Sequence, residues 1–373
     1  MNKNNVILDG ISLKKKILLD LERLRYPYSG IAAVFRNLAK GFESENKTLD
    51  LTYFGEFSSL NFNLSKKIIW KKWHKFFERF SQNFDIIHVS HQLSSYFQKN
   101  YRNSLKVVTL HDLNFLHENL SKSKRKKMLG KVNNNLKNAD YVVCISDYAK
   151  QDLLQNKHLF SFKKLKGIEV IHNGIDLPAD KIYDLSQFDY LKNTNYILNI
   201  GVLFDKKNQK SLIEMLPYIE EDLVLIFSEE KQPYATELRE RVKELKIEER
   251  VHFLKNVSET EKYALLQNCR ALCHPSIAEG FGIPPIEAMA FGKPVFLSTF
   301  TSLPEIGGEA AFYFEDFDPK SMAETFKNKM NFYEDNKVEL SLKIKNWTKQ
   351  YDYKVMSSNY LRFYEKILEK SIS

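Results

Sequence analysis

With 373 residues, 43% hydrophobic and 13% aromatic, the chain can bury two substantial cores and is neither a disordered nor a fibrous sequence. No stretch approaches the roughly 18–20 uninterrupted apolar residues of a membrane-spanning helix, and the N-terminus reads as having no export signal. Cys144, Cys269 and Cys273 lack CxxC spacing and sit in apolar contexts, which predicts buried, reduced thiols in a cytoplasmic protein. The net charge of +9 is uneven: residues 1–180 hold 30 Lys+Arg against 17 Asp+Glu and the remainder 26 against 30, so the N-terminal half is expected to meet an anionic partner. No zinc-finger, RRM-type or basic-zipper pattern points to nucleic acid.

In chain order, SKKIIWKKWHKFFERF (65–80) places Ile69, Trp73, Phe76, Phe77 and Phe80 on one helical stripe, with Lys66, Lys67, Lys71, Lys72, Lys75 and Arg79 around it. It is predicted as an amphipathic basic helix that either packs its stripe into the core or lies on an anionic membrane surface. From about residue 84, short apolar strands alternate with helical stretches: FDIIHV, LKVVTL, ADYVVCIS, GIEVIHNGID, then NYILNIGVL, LVLIFS, RVHFLKNV, RALCHPS and PVFLS. This alternation predicts an α/β protein of two doubly wound, Rossmann-like domains on parallel sheets. The basic run SKSKRKK (121–127) reads as a solvated face that anionic lipid or a phosphorylated acceptor could use. The change of domain is placed in the turn-rich stretch between Asn173 and Asn193.

The stretch EGFGIPPIEAMAFGKP (279–294) separates two carboxylates, Glu279 and Glu287, by a Gly-Phe-Gly turn and a double proline. Pro285 suits the first turn of a new helix, which puts Glu279 in a loop and Glu287 in that first turn. Small residues leading into an open helix N-terminus present backbone N–H groups and a positive dipole end, the ingredients of a phosphate site. Carboxylates beside such a site address neutral polar groups, sugar hydroxyls above all. Lys206 and Lys207 follow an apolar strand ending at Gly201 and offer positive charge to an anionic group. His111 opens HDLNF at the carboxyl end of LKVVTL, where ligands bind in open α/β folds. His88 and His91 are either structural or lining for a ligand site. Asp316 and Asp318 form a D-x-D, but Asp318-Pro319 reads as a helix N-cap followed by proline at N1, so no metal site is assigned.

The region CHPSIAEGFGIPPIEAMAFGKPVFLSTFTSLPEIGGEAAFYF closely resembles the signature region of retaining GT-B glycosyltransferases of family 4. Weaker likenesses run through YSGIAAVFRNLAKGF, TLHDLNFL, VCISDYAKQDL, VIHNGID and NIGVLFDKKNQKSLIEM. The resemblance implies that a C-terminal domain (177–345) binds a nucleotide-sugar donor, that an N-terminal domain (1–176) binds the acceptor, and that the segment 346–373 crosses back to the N-terminal domain. It implies catalytic roles for His111 and Glu279, with Glu279 at the donor sugar, Glu287 at the ribose, and Gly280, Phe281, Gly282 and Ile283 in the turn that meets the diphosphate. Lys206, Lys207 and Gly30 belong to the same donor set. The chain departs from the family pattern at Val202, where arginine is usual, and at Ala32 and Ala33, where a further glycine is common.

The expectation is a metal-independent, retaining hexosyltransferase without a cofactor. Its partners would be a nucleotide-sugar and a glycan or lipid-linked acceptor in lipopolysaccharide, capsule or O-antigen synthesis, at the inner face of the cytoplasmic membrane. The rival expectations are a GT-B nucleotide-sugar epimerase and a catalytically silent membrane-surface module.

Overall fold

The computed structural model describes residues 14–26, 29–76, 83–118, 120–178 and 180–371. The first half runs β1 (Lys16–Leu21), α1 (Gly30–Glu45), β2 (Asp50–Gly55), β3 (Lys67–Ile69), β4 (Ile86–Val89), β5 (Leu105–Leu110), α2 (Lys122–Leu136), β6 (Tyr141–Cys144), α3 (Asp147–Gln155) and β7 (Gly167–Val170). The second runs β8 (Tyr196–Ile200), α4 (Gln209–Met215), β9 (Asp222–Phe227), α5 (Tyr234–Glu244), β10 (Val251–Lys255), α6 (Glu259–Asn268), β11 (Ala271–His274), α7 (Ile283–Ala290), β12 (Val295–Ser298), α8 (Leu303–Gly307) and β13 (Phe312–Phe314). Three helices close the chain: α9 (Pro319–Asp335), α10 (Lys337–Thr348) and α11 (Tyr353–Glu369).

Both sheets are parallel throughout, in the orders β3-β2-β1-β4-β5-β6-β7 and β10-β9-β8-β11-β12-β13. Strands buried on both faces read as near-continuous apolar runs, as LVLIF and ALC do, with Lys106 and Thr109 the buried exceptions in LKVVTL. In β1, Ile17, Leu19 and Leu21 join one core cluster and Leu18 the cluster on the other face, the alternation that a pleated strand imposes. The order reverses between β1 and β4 in the first sheet and between β8 and β11 in the second. Ligands of such sheets bind beyond the strand carboxyl ends at these reversals.

The expected alternation of strands and helices is present, with three strands at the start of the chain and β13 beyond those that the sequence pattern marked. Serines start several helices: Ser29, Ser121 and Ser146 each accept a backbone N–H, and Ser258 forms a capping box with Glu261. Helix α11 lies against α1 in the first domain, burying Tyr353, Met356, Tyr360, Phe363 and Tyr364 in that domain's core. A smaller apolar cluster of Ile145, Ile175, Phe281, Ile286, Ile306 and Tyr351 joins the two halves.

The predicted helix over 65–80 is corrected. Residues Lys67–Ile69 form the edge strand β3, paired with Tyr53–Gly55, and Trp70 N–H continues the pairing to the Gly55 carbonyl; a single 3-10 turn follows at Lys72–Lys75. The stripe does not enter the core, since Ile69, Trp73 and Phe76 are 54%, 51% and 66% exposed. Phe77, Arg79 and Phe80 lie outside the described residues. The apolar spacing satisfied a helix, but an available edge on β2 decided the backbone instead.

Candidate active site

The carboxyl ends of β8 and β11 meet at the reversal of the second sheet and carry the charged part of the site. His274 ends β11 and is 1% exposed. Its Nε2 donates to Glu279 Oε1 at 2.6 Å, and the Lys207 ammonium reaches the same oxygen from the turn after β8. The Glu279 backbone N–H donates to Thr301 Oγ1 at 3.0 Å, fixing the loop beneath the carboxylate. Burial alone would raise the Glu279 pKa, but Lys207 and His274 outweigh it and hold the carboxyl well below its usual range.

The loop beyond Glu279 needs its glycines. A Cβ on Gly280 would stand 2.8 Å from the His111 carbonyl oxygen, and Gly282 adopts φ +118, a left-handed conformation open to glycine at little cost. Helix α7 begins at Ile283, one residue before the double proline, so Glu287 lies in its second turn and not in the first turn that the prolines suggested. Glu287 is buried and accepts from Lys262 Nζ of α6 at 2.6 Å. Phe281 turns away from the cleft and packs against Tyr351 and His172.

Across the cleft, the first domain supplies neutral rings. His111 follows β5; its Nε2 donates to the Ser90 carbonyl at 2.9 Å, and its backbone N–H donates to Gln92 Oε1 at 3.1 Å. Because a carbonyl can only accept, Nε2 carries the proton and Nδ1 is left as an acceptor. Burial lowers the His111 pKa to about 4, the Ser90 bond opposing and Arg23 assisting. His91, from the loop after β4, stacks on His111 with ring centroids 4.9 Å apart, and its Nδ1 accepts the Leu93 N–H at 2.9 Å. His88 is structural: buried, its nitrogens are taken by Tyr364 Oη at 2.5 Å and Thr109 Oγ1 at 2.7 Å, and burial lowers its pKa to about 3. Gly30, first residue of α1, faces Ile283 at the start of α7, to whose Cδ1 a Cβ would come within 3.5 Å.

The structure thus brings Lys207, Glu279, Gly280 and His111 together, with Gly30 and Ile283 alongside. Lys206 turns the other way, pairing with Glu118 of the first domain at 3.3 Å. Asp318 caps α9 through the N–H groups of Lys320 and Ser321, while Asp316 accepts from Asp318 N–H and Ser321 Oγ, so both carboxylates of the D-x-D serve the helix start. Cys144, Cys269 and Cys273 are free and buried.

Three site residues stand in no motif that marks their role. His274 and Lys262 were invisible because their roles depend on which side chain they meet. Glu305, in LPEIGG, accepts from the Asp147 and Tyr148 N–H groups at 2.8 and 3.1 Å and from His172 Nε2 at 2.6 Å, capping α3 of the opposite domain. Ser146 Oγ adds a bond to the Gly280 carbonyl at 3.1 Å. Asp147, His172 and Glu305 are also a grouping with metal-ligand spacing, but these hydrogen bonds already engage both Glu305 oxygens.

Two parallel open sheets facing one cleft define the GT-B fold. Residues 44–178 match Glycosyltransferase Family 4 and residues 185–350 match Glycosyl transferases group 1. The chain is similar to the O-antigen chain mannosyltransferase RfbU of Salmonella typhimurium, at 32% identity over 193 residues, covering 52% of this chain and 52% of that protein. It is similar to the serotype-specific mannosyltransferase WbdA of Escherichia coli at 29% identity over 47% of this chain and 23% of that one. The chain thus spans about half, or less, of the length of the curated relatives it matches. In fold it matches Anabaena HepE, solved in complex with UDP and glucose, with a TM-score of 0.69 and 17% identity over 94% of this chain and 100% of that one. This protein belongs to the GT-B glycosyltransferases, with a family 4 N-terminal domain and a group 1 C-terminal domain.

Proposed function

We propose that the protein transfers a hexose, with mannose the first candidate, from a nucleotide-sugar to a glycan or lipid-linked acceptor in O-antigen or related surface-glycan synthesis, with retention of configuration and without a metal. The observation that carries this is a pair of carboxylates around the glycine turn and α7, each held by its own lysine, Glu279 by Lys207 and the buried Glu287 by Lys262, opposite a neutral histidine. Lys207 and the amides of residues 280–283 meet the diphosphate. Glu287 accepts from the ribose hydroxyls, and Glu279 faces the sugar. The acceptor hydroxyl attacks the anomeric carbon on the face from which the diphosphate leaves: the new C–O bond forms as the bond to the diphosphate breaks, and the hydroxyl proton passes to a diphosphate oxygen. His111, neutral at physiological pH, accepts from a sugar hydroxyl through Nδ1 without adding charge. The mannosyltransferases RfbU and WbdA support the choice of sugar and product class.

The edge of the first domain supports a peripheral site on an anionic membrane. Tyr26, Ile69, Trp73 and Phe76 are exposed there, Arg25 lies 4.7 Å over Tyr26 and 5.2 Å over Trp70, and Lys67, Lys71, Lys72 and Lys75 are exposed among them. Aromatic and aliphatic side chains flanked by lysines match an interface of acyl chains and phosphates. Among the described residues, no helix is long and apolar enough to cross a membrane.

Incubating the purified protein with UDP-, GDP- and ADP-hexoses tests the reading. One donor should release its nucleoside diphosphate slowly without acceptor, faster with lipid-linked glycan, and equally well in EDTA. Turnover that stops on chelation and returns with Mg²⁺ or Mn²⁺ would overturn metal independence, and no turnover of any donor would overturn the transferase itself.

A further inference from the structure

We infer that His274 is a positioning residue for Glu279, holding one carboxylate oxygen so that the other is left for substrate. Both protein donors to this carboxylate, His274 Nε2 and the Lys207 ammonium, converge on Oε1, and no described residue donates to Oε2. His274 is rigidly placed, as the last residue of an interior strand. Its Nδ1 is buried with no hydrogen-bond partner. An unpaired buried nitrogen is a cost that an apolar residue at the end of β11 would avoid, so the packing of this strand does not account for a histidine. Its single hydrogen bond does, and because the acceptor is a carboxylate, Nε2 carries the proton.

The inference rests on the proposed donor chemistry at one point. Lys207 is the group assigned to the diphosphate, so donor binding draws it from Glu279 when that carboxylate must be aligned. His274 is then the remaining protein donor on Oε1. The charged groups around Glu279 are Lys207 from the turn after β8 and the half-buried Asp112 across the cleft, and His274 faces the carboxylate from β11.

The full-length protein carrying His274→Asn or His274→Gln provides the test. The Gln amide nitrogen can reach the place of Nε2, whereas the Asn amide stops near Nδ1. His274→Asn should lower kcat about 10–100-fold, leave nucleoside diphosphate affinity within about twofold, and move the acid limb of kcat upward, since the carboxylate loses a donor. His274→Gln should recover most of the rate and the position of the limb. A ¹³C titration of the Glu279 carboxyl, assigned by its loss in Glu279→Gln, reads the same hydrogen bond without turnover, so it still decides the matter if no donor is transferred: its midpoint should rise in His274→Asn and return in His274→Gln. A wild-type rate in His274→Asn, or equal rates and titrations in the two variants, would overturn the role.

Discussion

The two domains have the same architecture but treat charge in opposite ways. The second domain brings ionised groups inward at the reversal of its sheet, where Lys207 meets Glu279 and Lys262 meets Glu287. The first domain lines its inner face mainly with uncharged rings, His88, His91 and His111 being buried and held uncharged beside Arg23 and Asp112, and displays its excess of lysine on the outside. On the proposed reading, these paired charges can exchange partners without leaving either one unpaired, because a diphosphate can take the lysine and a sugar hydroxyl the carboxylate. Neutral imidazoles recognise hydroxyls without attracting the diphosphate to the wrong side. The division suits the proposed nucleotide-sugar donor on the charged wall and the proposed glycan acceptor on the other.

The outer charge of the first domain should give the largest effect. Near-surface lysines contribute about 1 kcal/mol each to binding anionic lipid. Replacing Lys67, Lys71, Lys72 and Lys75 together by Gln should therefore cut co-sedimentation with anionic vesicles about a thousandfold at low salt, without changing nucleotide binding. Undiminished sedimentation of a variant with a normal melting temperature would remove this edge from the membrane.

The inward charge of the second domain comes next. Glu279→Gln should lower kcat about 10²–10³-fold while the fold persists, the loss typical of one electrostatic group at the reacting centre. Lys207→Ala should weaken nucleoside diphosphate binding by about 1.5–3 kcal/mol, as for a charge-assisted hydrogen bond, and Glu287→Ala by about 1–3 kcal/mol. Lys206→Ala should do much less, since its partner is Glu118. Calorimetric titration with the diphosphates separates these cases, and equal losses for the two lysines would contradict the division of roles.

How much of this was legible in the sequence follows the same divide. The glycine loop was readable because Glu279, the glycines and Glu287 lie within one short segment whose backbone chemistry is local. His274, five residues upstream, was not, because only the fold brings its imidazole over the carboxylate. The βα alternation gave the two parallel sheets, yet β1 to β3 were missed, and the stripe at Ile69, Trp73 and Phe76 pointed to a helix. A free sheet edge decided that segment, and no periodicity reports a free edge. Helix α7 starting at Ile283 shows the same limit on a smaller scale: proline chemistry marks a helix start but not its residue.

The smallest effect is on pH. His88 and His111 are neutral in the folded protein, with pKa values lowered to about 3 and about 4 from 6.5 by burial. The unfolded chain binds their protons first, so stability should fall as pH drops below 6.5 and continue to fall until the folded values are reached. By the same lowered value, kcat/KM should show no inflection near 6.5 from His111. An acid limb at 6.5 that disappears in His111→Asn would show that this wall becomes charged during catalysis.

The division of charge is tested most directly by titrating the protein with the nucleoside diphosphate of its turned-over donor, comparing wild type with Glu287→Ala, Lys207→Ala and His111→Ala. The account predicts that both changes in the second domain weaken binding about fivefold or more while His111→Ala changes it less than about threefold and still lowers kcat. If His111→Ala weakens the diphosphate as much as Lys207→Ala does, the two walls share the charge and the account is wrong.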